Sequence, residues 1–407
     1  MPDSRPTTSL PAPPFLANAL LGVGQLLLWG GSYFLLAVLA QPIAQNTGWP
    51  LAWLYGALSL GLLVAGVLSP GVGRRLARPG GSAWVRYSGV VMGLGLMVVA
   101  AAPAFSWFVL GWAIIGASMA LGLYDALFAV LGKHYGQGAK GAIVQITLIS
   151  GFCTTVVWPA LAWTVAHWGW RGTCAGYGAV LALLIWPLHR VGLPRSPRPA
   201  VKAPSTASSL VRASPPAPGA TIFWLLAGHF TLGAVITTAL SVQLVAILQA
   251  QGWSTAAAVG LGALIGPSTV GVRVLDLLGP AKSTMLTALL SGLLVAAGLA
   301  LLGWLPAAGI VCYGLGNGMR SILRGTLPLE LFGPATYPVV MGQLALPTLV
   351  AQALTPLLGG LLAEHYGALT VLGVLGVLGV ANVGLTLVLR QCLATRAARL
   401  PPQAAAA

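Results

Sequence analysis

Long apolar runs alternate with short polar stretches along the whole sequence, and this alternation alone predicts the elements. Twelve runs stand out, at 17–40, 51–69, 84–102, 105–131, 141–164, 172–189, 221–248, 255–275, 284–303, 307–329, 338–362 and 368–389. Their lengths centre on about twenty residues, at which a helix rising about 1.5 Å per residue crosses a hydrocarbon core of about 30 Å. Strands of a transmembrane barrel would show alternating segments of about ten residues instead. The runs are apolar on every side, so periodicity does not say which face of a helix meets its neighbours.

Six runs lie on each side of a polar centre. The stretch 190–220 carries Arg190, Arg195, Arg198, Lys202 and Arg212, is rich in proline and holds no acid. It has too little apolar surface to bury a core, and its prolines remove helix donors, so it is expected to be a mobile tether. The predicted order is a tail at 1–16, a six-helix bundle at 17–189, a linker at 190–220, a second six-helix bundle at 221–389 and a tail at 390–407. The first apolar run is too long for a cleaved leader and is expected to stay as a true span. A faint repeat supports equal halves. His134-Tyr135-Gly136 through Trp158-Pro159 falls in register with Leu331-Phe332-Gly333 through Thr355-Pro356, at an offset of 197. A parallel duplication of six-helix units keeps the orientation of both halves.

Composition agrees with a bilayer and decides the topology. The 407 residues are 57% hydrophobic and 6% charged, with a mean hydropathy of +0.89, outside the range of soluble domains. The net charge of +15 would suggest nucleic acid in a soluble protein, but here it collects in short segments between spans. With the amino terminus inside, inner segments hold Arg5, Arg74, Arg75, Arg78, Lys133, Lys140, the linker cations, Lys282, Arg390, Arg396 and Arg399, and outer loops hold only Arg171. The positive-inside bias therefore predicts an inner (cytoplasmic) membrane protein with both termini cytoplasmic, a lipid environment and no nucleic-acid partner. The glycines within the spans read first as close-packing contacts between helices, with hinge or pore-lining roles as the alternative. Cys153, Cys174, Cys312 and Cys392 have no metal-ligand spacing and read as small apolar residues, a thiol site for a soft metalloid staying open. No cofactor or metal is called for.

Between spans two and three the sequence reads Gly66-Val67-Leu68-Ser69-Pro70-Gly71-Val72-Gly73-Arg74-Arg75. This resembles the loop signature of the major facilitator superfamily, with Pro70 where many members carry aspartate. Gly151 with Trp158-Pro159 is similar to a glycine-proline pattern frequent in its exporters, and Gly169-Trp170-Arg171 resembles another recurrent feature. The resemblance implies an all-α membrane fold of twelve transmembrane helices in two pseudo-symmetric bundles. It also implies a substrate cavity between the halves lined by the first and fourth spans of each. Gly66, Pro70, Gly73, Arg74 and Arg75 would then help the halves rock, although the two arginines also serve as plain inner anchors. Spans four and ten would approach each other at the cytoplasmic gate.

Ions within spans carry the chemistry. Asp125 lies in span four, and Arg320 and Arg324 lie four residues apart on one face of span ten. A charge at mid-membrane costs about 2.5–3.5 kcal/mol on insertion scales, so each asks for a partner, water or a task. Asp125 is expected to pair with Arg320 or Arg324 when the inner gate is shut, the alternative for Arg324 being to snorkel to the interface. His229 is either a proton carrier or a helix-to-helix hydrogen bonder. Gln25, Tyr33, Gln243 and Asn317 offer uncharged hydrogen bonds to a substrate, and Tyr124 an aromatic surface. Arg273 beside Asp276 reads as a pair at the inner end of span eight. Glu330, Glu364 and His365 read as solvated residues at the outer edge. The function expected is secondary active transport by a monomer, proton-coupled and leaning to efflux of a small organic anion, oxyanion or toxicant. A non-transporting sensor or scaffold is the alternative. A polytopic enzyme ranks below it, because no HExxH, carboxylate pair or GxxxxGK[ST] loop occurs.

Overall fold

The computed structural model describes residues 14–194, 219–278 and 283–399. Among these all regular structure is helical: α1 (Phe15–Gly30), α2 (Leu35–Thr47), α3 (Leu51–Ala77), α4 (Ala83–Arg86), α5 (Ser88–Ala101), α6 (Phe105–Gly122), α7 (Tyr124–Tyr135), α8 (Ala139–Ser150), α9 (Cys153–Gly192), α10 (Ala220–Ala250), α11 (Thr255–Gly262), α12 (Ile265–Leu278), α13 (Thr284–Leu301), α14 (Pro306–Tyr366) and α15 (Ala368–Arg399). Helices satisfy their own backbone, which lipid does not. Eight helical stretches among the described residues are long and apolar enough to cross a membrane. Two of them run to 88 and 61 residues, well beyond one bilayer thickness, and are folded back rather than straight. Gly169 (φ 66°) bends α9 and Gly333 (φ 71°) bends α14, a backbone region that a Cβ disfavours.

Gly136 also has positive φ, at 54°. It stands 197 positions before Gly333, so the repeat faint in the sequence is repeated in the backbone. In the first half α5 packs against α6 and α9, and α1 against α8 and α9. In the second half α10 and α13 pack against α14 and α15. The halves meet along two seams, α3 with α14 and α8 with α12, and α7 closes on α14 between them.

Five of the predicted spans are interrupted, the third close to its start at Tyr87 between α4 and α5, and four part-way. The first bends at residues 31–34 between α1 and α2, and the fourth breaks at Leu123 between α6 and α7. The fifth breaks at Gly151-Phe152 between α8 and α9, and the eighth at residues 263–264 between α11 and α12. Bare backbone at membrane depth is tolerated only where protein or a cavity covers it, so the four part-way breaks mark the interior.

Cations tie down exposed helix ends, where carbonyls lack intrahelical partners. The Lys133 ammonium donates to the carbonyls of Leu76, Ala77 and Arg78 at the end of α3. At the opposite end Arg171 donates to the carbonyls of Ala100 and Ala102 after α5, and Trp170 donates its indole N–H to Asn46 Oδ1 at 2.9 Å. The Gly169-Trp170-Arg171 triplet is thus a structural corner.

Several expected boundaries shift. The signature Gly66, Pro70, Gly73, Arg74 and Arg75 lies on the last turns of α3 and not in a loop; only the residues from Arg78 to Ser82 connect the helices. The helix of α9 runs on to Gly192, so Arg190 belongs to it. The last helix continues through Arg399, ten residues past the expected end, because the alanines, leucines and arginines there favour helix and no proline intervenes before Pro401. The linker cations Arg195, Arg198, Lys202 and Arg212, with Arg5 and Lys282, lie outside the described residues, as does the expected mobility of that linker.

Candidate functional site

The break at Leu123 starts a new helix, and Asp125 occupies the first turn of α7, where the helix dipole favours a carboxylate. From there it forms a bidentate pair with Arg324 of α14, Nε to Oδ1 and Nη2 to Oδ2 both at 2.7 Å. The side chains are 21% and 16% exposed. Arg324 therefore does not snorkel. The partners lie 199 residues apart, close to the repeat of 197. Equivalent positions of two halves related by a two-fold can touch only near its axis, so this pair sits near the pseudo-symmetry axis. The neighbouring contacts agree. Gly325 faces Phe128 and Gly132 faces Leu329, each 197 apart.

The pair is sealed in by close helix packing. A Cβ on Gly73 of α3 would stand 2.5 Å from the Pro338 carbonyl oxygen of α14, and one on Gly66 would stand 3.2 Å from Leu349. Tyr337 closes on Gly132, its hydroxyl donating to the Gly325 carbonyl at 2.6 Å. A cavity of about 10 Å³ beside Asp125, lined by Ser69, Gly73, Leu76, Ala129, Pro338 and Gly342, is at or below the volume one water needs. Arg74 and Arg75 stay exposed at the end of α3, Arg75 over the Trp84 ring at 5.8 Å. Pro70 is half-buried within α3.

Arg320, one turn before Arg324, has no carboxylate partner among the described residues. Its Nε and Nη2 donate to Asn317 Oδ1, at 3.2 and 3.0 Å, and its Nη2 also donates to Thr237 Oγ1 at 3.0 Å. Gly233 of α10 leaves room for it. Tyr33 and Tyr313 are its aromatic neighbours, and Tyr33, in the bend between α1 and α2, reaches across the seam to Thr238. Gln352 donates to the same Thr238 hydroxyl at 3.1 Å. Tyr124 stacks on Phe128 at 5.1 Å, lies 5.2 Å from the Trp29 ring, and shares a 2.5 Å hydrogen bond with Ser150.

The remaining expected residues do other work. Gln25 is fully buried and donates to the Gly122 carbonyl at 2.6 Å, securing α1 to the end of α6, with its Oε1 left without a partner. His229 is 2% exposed, with Nδ1 3.0 Å from Thr386 Oγ1, the geometry of a helix-to-helix hydrogen bonder. Gln243 is buried against Gly359. Glu330 is helical and not at the outer edge. It accepts from Thr284 and lines a cavity of about 290 Å³ with Gln137 and Lys140, at the end that carries Lys133.

Arg273, expected in a surface pair with Asp276, is an interior residue. It is 6% exposed, donates through Nη1 to the Thr147 carbonyl where α8 breaks, and fills the space beside Gly151. Its Nε has no partner. The Asp276 side chain, expected as its partner, lies outside the described ones. The clue available was a cation two residues short of a predicted span end, which reads equally well as an interfacial one. Among the described side chains of the interior, three guanidiniums thus face one carboxylate.

No protein-family model matches the sequence, and no curated protein sequence matches it. Solved structures do. A human organic anion transporter, MFSD10 (TETRAN), superposes with a TM-score of 0.65 at 17% identity, over 91% of this chain and 97% of that one. The proton:xylose symporter XylE, bound to 6-bromo-6-deoxy-D-glucose, gives a TM-score of 0.59 at 14% identity, over 91% of this chain and 92% of that one. An all-helical, multi-pass membrane chain whose halves meet at a near-axial ion pair thus has the fold of the major facilitator superfamily transporters.

Proposed function

We propose that this chain is a secondary carrier that moves a small organic anion or oxyanion across the cytoplasmic membrane by alternating access. The observation that carries the proposal is the bidentate pair of Asp125 and Arg324 across the seam. It bonds the two halves at one end and leaves Arg320 a short way deeper with neutral partners only. A cation without a counter-ion favours an anionic cargo, in keeping with the organic anion transporter among the structural neighbours.

In this proposal the chain crosses the membrane twelve times, with both termini and the basic end cytoplasmic, and works as a monomer. The conformation is then sealed on the inside. Protonation of Asp125 would remove the negative partner of Arg324, release the gate and let the inner face open to load cargo for export against protons. Tyr33 and Asn317 face the cargo around Arg320, and Tyr124 faces it from beside Arg273. Gly66 and Gly73 give α3 and α14 a surface on which to part, with Pro70, Arg74 and Arg75 at its cytoplasmic end.

The test is proton-driven transport of a panel of organic anions and oxyanions in proteoliposomes by the wild type and Asp125→Asn. The variant should insert normally, lose most transport and lose its pH dependence. Normal rate with normal pH dependence in Asp125→Asn overturns the gate.

A further inference from the structure

Two guanidiniums in the interior lack a carboxylate among the described residues, and they sit in different surroundings. Arg320, on α14, is held by Asn317 and Thr237 with Tyr33 nearby. Arg273, on α12, reaches across the second seam to the α8 break. There its neighbours are Thr147, Gly151 and Tyr124, and Tyr124 is bonded to Ser150. The two guanidiniums are close enough to be electrostatic neighbours.

Around Tyr124 the unpartnered buried groups are two donors and one acceptor, Gln25 Oε1, whose amide nitrogen is bonded to the Gly122 carbonyl. Arg273 Nε and Trp29 Nε1 are both buried without a partner, and the Trp29 ring is 5.2 Å from the Tyr124 ring. Buried donors are rarely left unpaired, and an unmet one is costly. A guanidinium in a region where unpaired donors outnumber unpaired acceptors is complementary to an oxyanion. The helix break contributes as well, because it places the Arg273 side chain against open backbone and not against a neighbouring helix face.

We propose that the cargo is a dianion. One negative charge is seated at Arg320 with Asn317, and the other at Arg273 with Trp29 and Tyr124, so that a single loaded molecule neutralises both interior cations. The proposal rests on the anion-carrier reading and narrows it. Two chemistries share the property, a dicarboxylate with separated charges and a compact doubly ionised oxyanion such as a phosphonate.

The experiment measures transport and ligand-induced thermal stabilisation of purified protein with four probes: succinate, monomethyl succinate, methylphosphonate and a neutral sugar. At about pH 8.5, where methylphosphonate as well as succinate is mostly doubly ionised, the wild type should favour succinate or methylphosphonate over monomethyl succinate by at least tenfold in apparent affinity, and whichever dianion wins identifies the source. Arg273→Gln should reduce that ratio to below threefold, and Arg273→Lys should restore part of it. Stabilisation in detergent reports the same ratio without requiring turnover. A wild type that binds the monoanion as well as the dianion, or an Arg273→Gln protein that keeps the full preference, overturns the dianion proposal while leaving an anion carrier in place. A preference that shifts as far in Asp276→Asn as in Arg273→Gln also overturns it, because Arg273 would then have its counter-charge within the protein. Binding of the sugar alone overturns the anion reading itself.

Discussion

At the scale of single residues, the decisive quantity is the cost of an ion in a medium that does not solvate it. Asp125 and Arg324 offset that cost for each other, and removal of either leaves the other charge buried, which typically costs about 3–5 kcal/mol. Asp125→Asn and Arg324→Gln should each lower thermal stability in detergent by more than the double variant does. The coupling from the full cycle is expected at about 1–3 kcal/mol; additive melting shifts would show that the pair contributes nothing. Both residues were legible in the sequence because a charge inside an apolar run has few innocent explanations. Arg273 was not, because a cation near a predicted span end reads as an interfacial one, and the break that buries it leaves no mark in hydropathy. The bonding of Gln25 was hidden for a related reason. Depth can be read from a sequence, but the facing of a side chain on a helix apolar all round cannot.

At the scale of elements, the breaks in the first, fourth and fifth spans each bring a group to the site, Tyr33, Asp125 and the Gly151 backbone, and Arg273 comes from α12, the helix that follows the break in the eighth. The all-helical character followed from run length alone, whereas the breaks did not. Leu123 and Phe152 are as apolar as their neighbours, and the tertiary contacts select the bend. The seam of α3 and α14 relies on contact between small residues. Gly342→Leu should wedge it apart and raise thiol labelling at Ala129→Cys, a position 1% exposed, several-fold in a background lacking the native cysteines. Labelling no faster than in the unwedged protein would mean that this seam does not hold the closed form. Gly333→Ala tests the bend of α14. A side chain in that backbone region costs about 1–3 kcal/mol, which should appear as a lower melting temperature, and Gly136→Ala at the equivalent turn should behave alike.

At the scale of the whole molecule, the halves hold together through surfaces and not only through the chain that joins them. Polypeptides 1–205 and 206–407, expressed together with a tag on one, should therefore copurify, and Asp125→Asn with Gly342→Leu should weaken the association. Separate elution of the unmodified halves would show that the tether is required. The duplication was visible in the sequence as an offset and in the structure as matched glycine bends, yet its use emerges only where the axis passes between Asp125 and Arg324. The small dry space beside that pair has one more implication. Protons travel through proteins along files of water, and a space too small for one molecule interrupts the file. If the chain is the carrier proposed above, this conformation should therefore pass no proton through the gate, a leak-free resting state.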